Sequence, residues 1–329
     1  MADPSRVVDA LTAYWRSATL VAAIDLGVFR ALSTRARAAR SIAHACGSHV
    51  DTTRRLCDAL VAEGWLNVGP RGYRLTAESA AWLGASAATS IVGARDFFNG
   101  PPVSTGFASL ASTVRRGRAP KRRVDWAKFA GAAWSLRRHV ARAVAGELAK
   151  RGLGGGRILD VGAGASPLGV LLLERHATAR LTAIDDGSTL RVARGKARAA
   201  GVSARLTTAA GDARAIAWPA ADLVLMVNVL DYFSESDQLR LLVKARRAVA
   251  AGGALVIAAP LLAASRQAPA SAVAYDLMLM AIGGGRASTI NEMRRRVRQA
   301  GFSRAIWIDD ADVMLASVPR AKVPSSRRR

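Results

Sequence analysis

An α/β chain is the fold class this sequence predicts: a Rossmann-like, doubly wound seven-stranded sheet preceded by an all-helical winged-helix domain. Three observations predict it. From residue 157 onward, short apolar runs alternate with amphipathic stretches, the pattern of strands joined by crossover helices. Several runs are apolar throughout, LVLMV at 223–227 and ALVIAA at 254–259, as strands covered on both faces must be. The first run, GRILDVGAGASPLGVLLLE at 156–174, passes from β-formers through small residues into a helix, the outline of a nucleotide-binding turn.

The elements follow in order. Residues 5–32 place apolar side chains at helical spacing, with Gly27 as a break. Residues 39–76 give a helix, a turn at Gly47, a second helix with Leu56, Leu60 and Val61 inward, and two short strands flanking GPRG. Helix, turn, helix and hairpin make a winged helix, expected over 1–105. Its second helix offers Arg54 and Arg55, but residues 1–105 hold 11 basic and 8 acidic side chains. That is too little net charge for the many phosphate contacts of a nucleic-acid site, so the module reads as one for dimerisation and packing. Connecting helices are expected over 106–155, where 12 basic side chains face 2 acidic ones. They comprise a basic loop at 115–123 and a long helix carrying Trp126, Phe129 and Trp134. The last domain, 156–329, is predicted to hold strands at 157–161, 180–184, 205–210, 222–227, 254–259, 304–308 and 312–317. Helices are predicted at 167–175, 189–200, 237–250 and 289–300.

Composition narrows the function. The chain has 329 residues, 51% of them hydrophobic, which marks a folded protein of about two domains. No apolar run reaches the ~18 residues of a membrane span, and the N-terminus lacks a signal-peptide profile, so a cytoplasmic location is the expectation. Cys46 and Cys57 form neither a disulfide framework nor a metal set, and no His/Cys/acid cluster has metal-site spacing. The formal charge of +24 comes from 42 arginines and 6 lysines. GC-rich coding produces such a skew, which weakens any inference from charge to nucleic acid.

The turn after the first strand reads Asp160-Val-Gly162-Ala-Gly164-Ala-Ser166-Pro167. Asp160 at the strand end would repel a phosphate, the later glycine of a pyrophosphate fingerprint is missing, and no GK[ST] is present. The turn suits a ligand with cationic groups and no phosphate, such as S-adenosylmethionine (SAM). Asp185 ends the second strand, 21 residues after Gly164, where a carboxylate accepts both ribose hydroxyls.

On these residues the sequence resembles the class I SAM-dependent methyltransferases. LDVGAG is similar to their motif I, Gly211-Asp212 to the acid near the adenine amino group, and GGGRASTINEMRRRVRQAGF to their late helix. With the winged helix in front, the chain resembles the small-molecule O-methyltransferases that include plant phenolic, acetylserotonin and bacterial polyketide enzymes. The resemblance spans about the whole chain. It implies SAM as cofactor, held by Asp160, Gly162, Gly164, Asp185, Asp186, Asp212, Ala213 and Asn228, and a homodimer formed through the N-terminal domain. Ser166 replaces the usual third glycine, where it is expected to cap the following helix, with Pro167 in the first turn.

The family commonly places a His after the fourth strand to take the acceptor's proton, and a Glu after the Thr of the late motif to steer it. Here the segment is NVLDYF, with Asp231 in place of the His, and Ile290 stands where the Glu would be. An Asp is a weaker base than the ~10 pKa of a phenol demands, by about six units. It acts only if desolvation raises it, or if it orients the hydroxyl while the proton leaves. Asp231 is the candidate catalytic residue. Phe97, Phe98, Trp126, Phe129, Trp134, Tyr232, Tyr275 and Met278 are candidates for the acceptor pocket. Methyl transfer to a hydroxyl of a small aromatic metabolite is the first reading. A SAM-binding enzyme of the same fold that runs a different reaction stays open, as does a winged-helix nucleic-acid regulator built on 115–123 and the tail SSRRR.

Overall fold

The computed structural model describes residues 3–85, 89–120, 124–308 and 313–318. The basic residues at 121–123 and the tail from 319 lie outside these. The chain divides into two compact units, Met1–Asn99 and Gly100–Arg329.

In the first unit, α1 (Ser5–Leu26) ends at Gly27, whose left-handed backbone (φ 78°) lets α2 (Val28–Ala31) set off in a new direction. Then follow α3 (Ala39–Cys46), α4 (Val50–Ala62), β1 (Leu66–Gly69), β2 (Gly72–Leu75), α5 (Ala77–Leu83) and α6 (Ala94–Asn99). The turn at Gly47 is left-handed (φ 62°), and β1 and β2 pair antiparallel around Pro70-Arg71. Val28, Phe29, Ile42, Cys57, Leu60, Leu66 and Tyr73 form the core, and the Tyr73 hydroxyl donates to Asp58 at 2.6 Å. The helix–turn–helix and hairpin are those read from the sequence.

The second unit opens with α7 (Val103–Ala108), α8 (Leu110–Arg116) and α9 (Trp126–Ala149). The alternating part runs β3 (Arg157–Val161), α10 (Pro167–Arg175), β4 (Arg180–Asp185), α11 (Gly187–Ala199), β5 (Leu206–Ala210), β6 (Ala221–Val227), α12 (Glu235–Ala248), β7 (Val249–Ala258), α13 (Ala270–Ile282), α14 (Ile290–Gln299), β8 (Arg304–Ile308) and β9 (Val313–Ser317). The seven-stranded sheet has the order β5-β4-β3-β6-β7-β9-β8. All neighbours are parallel except around β9, which is antiparallel to β7 and β8. Alternate residues of each strand enter two cores. Leu159, Val161, Val224, Met226 and Ile257 pack against α12 and α14, while Ile158, Leu181, Leu225 and Val256 pack against α9 and α10. Each such side chain contributes about 1.5–3 kcal/mol of burial. Strand order reverses between β3 and β6, which opens a crevice at the carboxyl ends of the strands.

Two expectations change. The helix expected over 237–250 stops at Ala248 because Val249 already pairs with Ala221, ahead of the glycines at 252–253. The apolar stretch at 270–282, outside the helices predicted at 237–250 and 289–300, is a helix ended by left-handed Gly283. No described helix is long and apolar enough to cross a membrane.

Candidate functional site

A cavity of about 720 Å³ lies at the carboxyl ends of β3, β4, β5 and β6. The wall formed by the strand ends is made of Gly162, Gly164, Ile184, Asp185, Asp186, Gly211, Asp212, Ala213 and Asn228. The opposite wall carries Trp126, Phe129, Ala130 and Arg137 from α9, with Val229, Tyr232 and Phe233 from the segment after β6.

The glycine turn is fixed by close approach. A Cβ on Gly162 would stand 2.1 Å from Val229 Cγ2, and the backbone is left-handed there (φ 63°). Gly164 is left-handed too (φ 58°). Its N–H donates to Asp185 Oδ2 at 2.7 Å, and the Asp186 N–H donates to Asp185 Oδ1 at 2.7 Å. Asp185 is therefore oriented by backbone groups, with burial pushing its carboxyl above the ordinary range against these two bonds. Asp186 caps α11 instead. Burial opposes its ionisation, but hydrogen bonds from Ser188 and Thr189 outweigh that and bring it down to about 2. Asp212 is held at about 2 by hydrogen bonds from Arg214, whose guanidinium also reaches Asp237 at 3.2 Å. Asn228 adopts a left-handed backbone (φ 49°) and donates its N–H to the Ala258 carbonyl at 2.7 Å.

Asp160 is not on the wall. It is buried beneath the turn, and its Oδ2 accepts from the Ser166 hydroxyl at 2.6 Å. Burial pushes its carboxyl up to about 7. Ser166 consequently does not cap α10 with its side chain. It sits left-handed (φ 52°) at the helix start, its hydroxyl turned inward to Asp160. Pro167 occupies the first turn as expected.

Asp231 is wholly buried in a short 3-10 turn after β6. Its Oδ2 accepts from the Tyr275 hydroxyl at a long 3.4 Å, and its Oδ1 has no hydrogen-bond partner. Desolvation pushes the carboxyl up to about 7. The backbone is clamped: a Cβ on Gly285 would fall 1.5 Å from the Asp231 carbonyl oxygen, which accepts from the Arg286 N–H at 3.0 Å. Asp231 is thus neither a helix cap nor a solvated loop acid. Its carboxyl lies behind the cavity wall formed by its neighbour Tyr232. Thr289 and Glu292 form the capping box of α14.

The aromatic candidates divide. Trp126 meets Tyr232 edge-on at 5.2 Å and Phe129 at 5.7 Å, and all three line the cavity. Trp134 does not. It packs on the core of the α9 side of the sheet, between the cations of Arg138 and Lys196. Met278 is buried in α13 outside the cavity lining, and Tyr275 stands behind Tyr232 in a small apolar cluster. Phe98 belongs to the first unit, half-exposed and edge-on to Phe97 at 4.9 Å. The residue the sequence reading missed is Arg137. Its signal was its place on α9, 11 residues after Trp126 and eight after Phe129, on the same helical face. Among the described residues no group of three or more His, Cys, Asp or Glu is placed to hold a metal ion.

The SAM expected from the sequence fits these residues. The strand ends supply carboxylates and a glycine turn with no space for a Cβ at Gly162, in place of the cations a phosphate needs. Comparison with known proteins agrees. Residues 127–303 match the O-methyltransferase domain model, and residues 8–85 match the O-methyltransferase dimerisation domain. The 3-hydroxy-5-methyl-1-naphthoate 3-O-methyltransferase of Streptomyces sahachiroi is 27% identical over 91% of this chain and 90% of its own. The acetylserotonin O-methyltransferase of Mus musculus is 25% identical over 92% and 84%. Among solved structures, a protein of Nostoc punctiforme PCC 73102 superposes with a TM-score of 0.87 at 28% identity, covering 96% of this chain and 99% of that one. Human N-acetylserotonin methyltransferase in complex with SAM gives 0.83 at 21%, covering 97% and 99%. With both of its units matched, this chain belongs to the SAM-dependent O-methyltransferase family.

Proposed function

We propose that the chain methylates a hydroxyl of a small aromatic acceptor, with SAM held along the strand ends and the acceptor against α9. The observation that carries this is the two-sided cavity: acids and glycines on one wall, Trp126, Phe129 and Tyr232 on the other. The naphthoate and acetylserotonin enzymes among its relatives act on fused aromatic rings of a size that suits such a wall. Bound SAM supplies a methyl group on a sulfonium, an electrophile with a good leaving group.

The chain's own residues do the rest. Asp185, its two oxygens aimed by the Gly164 and Asp186 amides, takes the ribose hydroxyls. Asp212 and Ala213 would border the adenine, and Gly162, Gly164 and Asn228 would line the methionine end. Asp160 acts from below, fixing the turn through Ser166. Trp126, Phe129 and Tyr232, which line the opposite wall, would hold the acceptor ring with its oxygen turned to the methyl donor. Alignment of this kind supplies roughly 7–11 kcal/mol of a bimolecular barrier. Asp231, raised to about 7, is within about three units of a phenol in place of six. It takes up the acceptor's proton, with the Tyr275 hydroxyl 3.4 Å from its Oδ2. The first unit serves as the dimerisation module, and the working enzyme is a homodimer.

The test is methyl transfer from isotopically labelled SAM to hydroxynaphthoates and other phenols, read by mass spectrometry. A product carrying one labelled methyl on oxygen is expected. SAM bound but never consumed, with methylation also absent in cell extracts of the host, would sink the proposal.

A further inference from the structure

Tyr275 stands on α13, behind Tyr232 and outside the cavity lining. Its ring packs with Tyr232 in the apolar cluster around Leu262, Ala272 and Leu279, a task that asks only for the ring. Its hydroxyl does something more, donating to Asp231 Oδ2 at 3.4 Å. Among the described residues no other group donates to this carboxylate, and Oδ1 has no partner. A carboxylate withdrawn from water with one hydrogen bond depends on that bond for its charge. The charged groups that act on Asp231 come from two further helix positions. Asp276, next to Tyr275 on α13, opposes its ionisation. Arg296 of α14 favours it, while bonded to Gln238, Ser288 and Glu235. Tyr232 lies beside Asp231 in its own turn, and Arg137 of α9 acts on the phenols of both tyrosines.

We infer that Tyr275 is the positioning residue for Asp231: its hydroxyl engages Oδ2 of the ionised carboxylate and leaves Oδ1 as the oxygen that receives the acceptor's proton. This rests on the methyl-transfer reading above. As the bond from the acceptor oxygen to the methyl carbon forms and the sulfonium–methyl bond breaks, the proton passes from the acceptor hydroxyl to Asp231. The sulfur leaves neutral, and Tyr275 keeps its own proton. Burial, and then the charge of Asp231, push the Tyr275 phenol well above its ordinary value, so it is a donor at every working pH. A hydrogen bond to the ionised form favours that form, the more so away from water. Two neighbours on α13 thus act on Asp231 with opposite sign, Tyr275 toward ionisation and Asp276 against it. A merely structural disturbance of α13 has no reason to reverse sign between them.

Carboxyl-carbon NMR of the full chain, labelled at aspartate and with S-adenosylhomocysteine (SAH) added, reads the ionisation of Asp231 directly; its resonance is the one lost in Asp231→Asn. Tyr275→Phe keeps the ring in its cluster and removes the donor. It is expected to raise the titration midpoint by about one pH unit, an acid about tenfold weaker. Asp276→Asn is expected to lower the midpoint. In methyl transfer to hydroxynaphthoates, Tyr275→Phe should lose about tenfold in rate on the acid side of the profile and regain it as pH rises. The acceptor KM should stay within about twofold of the parent, since Tyr275 stands outside the cavity lining. A midpoint that stays in place or falls in Tyr275→Phe overturns the inference, as does one raised in both variants. A KM several-fold higher with the pH profile unmoved would make Tyr275 an acceptor contact and overturns it too. If the midpoints move as expected but the parent transfers no methyl group to any phenol, the methyl-transfer reading falls instead.

Discussion

Two aspartates carry most of the pH behaviour expected of the protein, for the same reason: each is buried with one weak or single partner. Asp231, pushed up to about 7 by desolvation, accepts protons only in its ionised form. The rate of methyl transfer is expected to climb with pH up to about 7 and level off above. Asp231→Asn should remove that limb and lower kcat on the order of 10²-fold; an unchanged pH–rate profile would take Asp231 out of the chemistry. Asp160, also at about 7, acts on stability. Its folded pKa lies above its unfolded value, so the native state holds the proton more tightly. The stabilisation is complete below about pH 4, is lost as pH rises to about 7, and is flat beyond. Its size is on the order of a few kcal/mol. Asp160→Asn should flatten that part of the pH–stability curve in thermal melts. The identity of both acids was legible in the sequence, from LDVGAG and NVLDYF, but their burial was not. Side-chain direction in the turn depends on Ser166 rotating inward, and Asp231 is sealed only when Gly285, 54 residues later, closes against its carbonyl. Arg137 is hard to single out for a different reason. As one arginine among 42, its one signal is the helical face it shares with Trp126 and Phe129.

The elements were legible in proportion to how local their causes are. Strands β3, β6 and β7 follow from unbroken apolar runs. The start of α14 follows from the Thr289–Glu292 capping box, and the turns at Gly27 and Gly47 from glycine alone. Helix α13 was not legible, because its apolar residues run nearly all round and leave no periodic face to read. Trp134 misled for a related reason: aromatic residues at helical spacing on α9 face both the cavity and the sheet core. The turn after β3 offers the sharpest test at this scale. Gly162→Ala puts a Cβ into Val229 and forces a positive φ on a side chain that resists it. SAM affinity is expected to fall at least tenfold, and Val229→Ala in addition should recover only part of it. Full recovery would mean that the clash alone, and not the backbone conformation, requires glycine there. Thr289→Ala is expected to cost about 1 kcal/mol in denaturant unfolding with SAM affinity unchanged.

At the scale of the whole molecule, two units divide the work. The second builds a sheet whose order reverses between β3 and β6, so the site lies where the topology opens a crevice. The first leaves Val7, Val8, Leu11, Tyr14 and Trp15 exposed along α1, at the i, i+1, i+4, i+7, i+8 spacing of one helical face. An apolar stripe of this kind calls for a covering surface, and the dimerisation-domain match over residues 8–85 names the kind of surface. Leu11→Glu with Trp15→Glu is expected to convert a dimer to a monomer in light-scattering chromatography, and a dimer that survives both would place the interface elsewhere. Alternation of strand and helix made the overall architecture readable, since it depends on periodicity alone. The cavity's opposite wall was not, because it is assembled by packing between segments about 100 residues apart. The central claim is that the strand ends hold SAM through Asp185. Calorimetric titration of the chain and of Asp185→Ala with SAM tests it most directly. Micromolar binding by the parent, weakened at least about a hundredfold in the variant, is the predicted result. Binding that is equal in the two proteins, or absent from both, would contradict it.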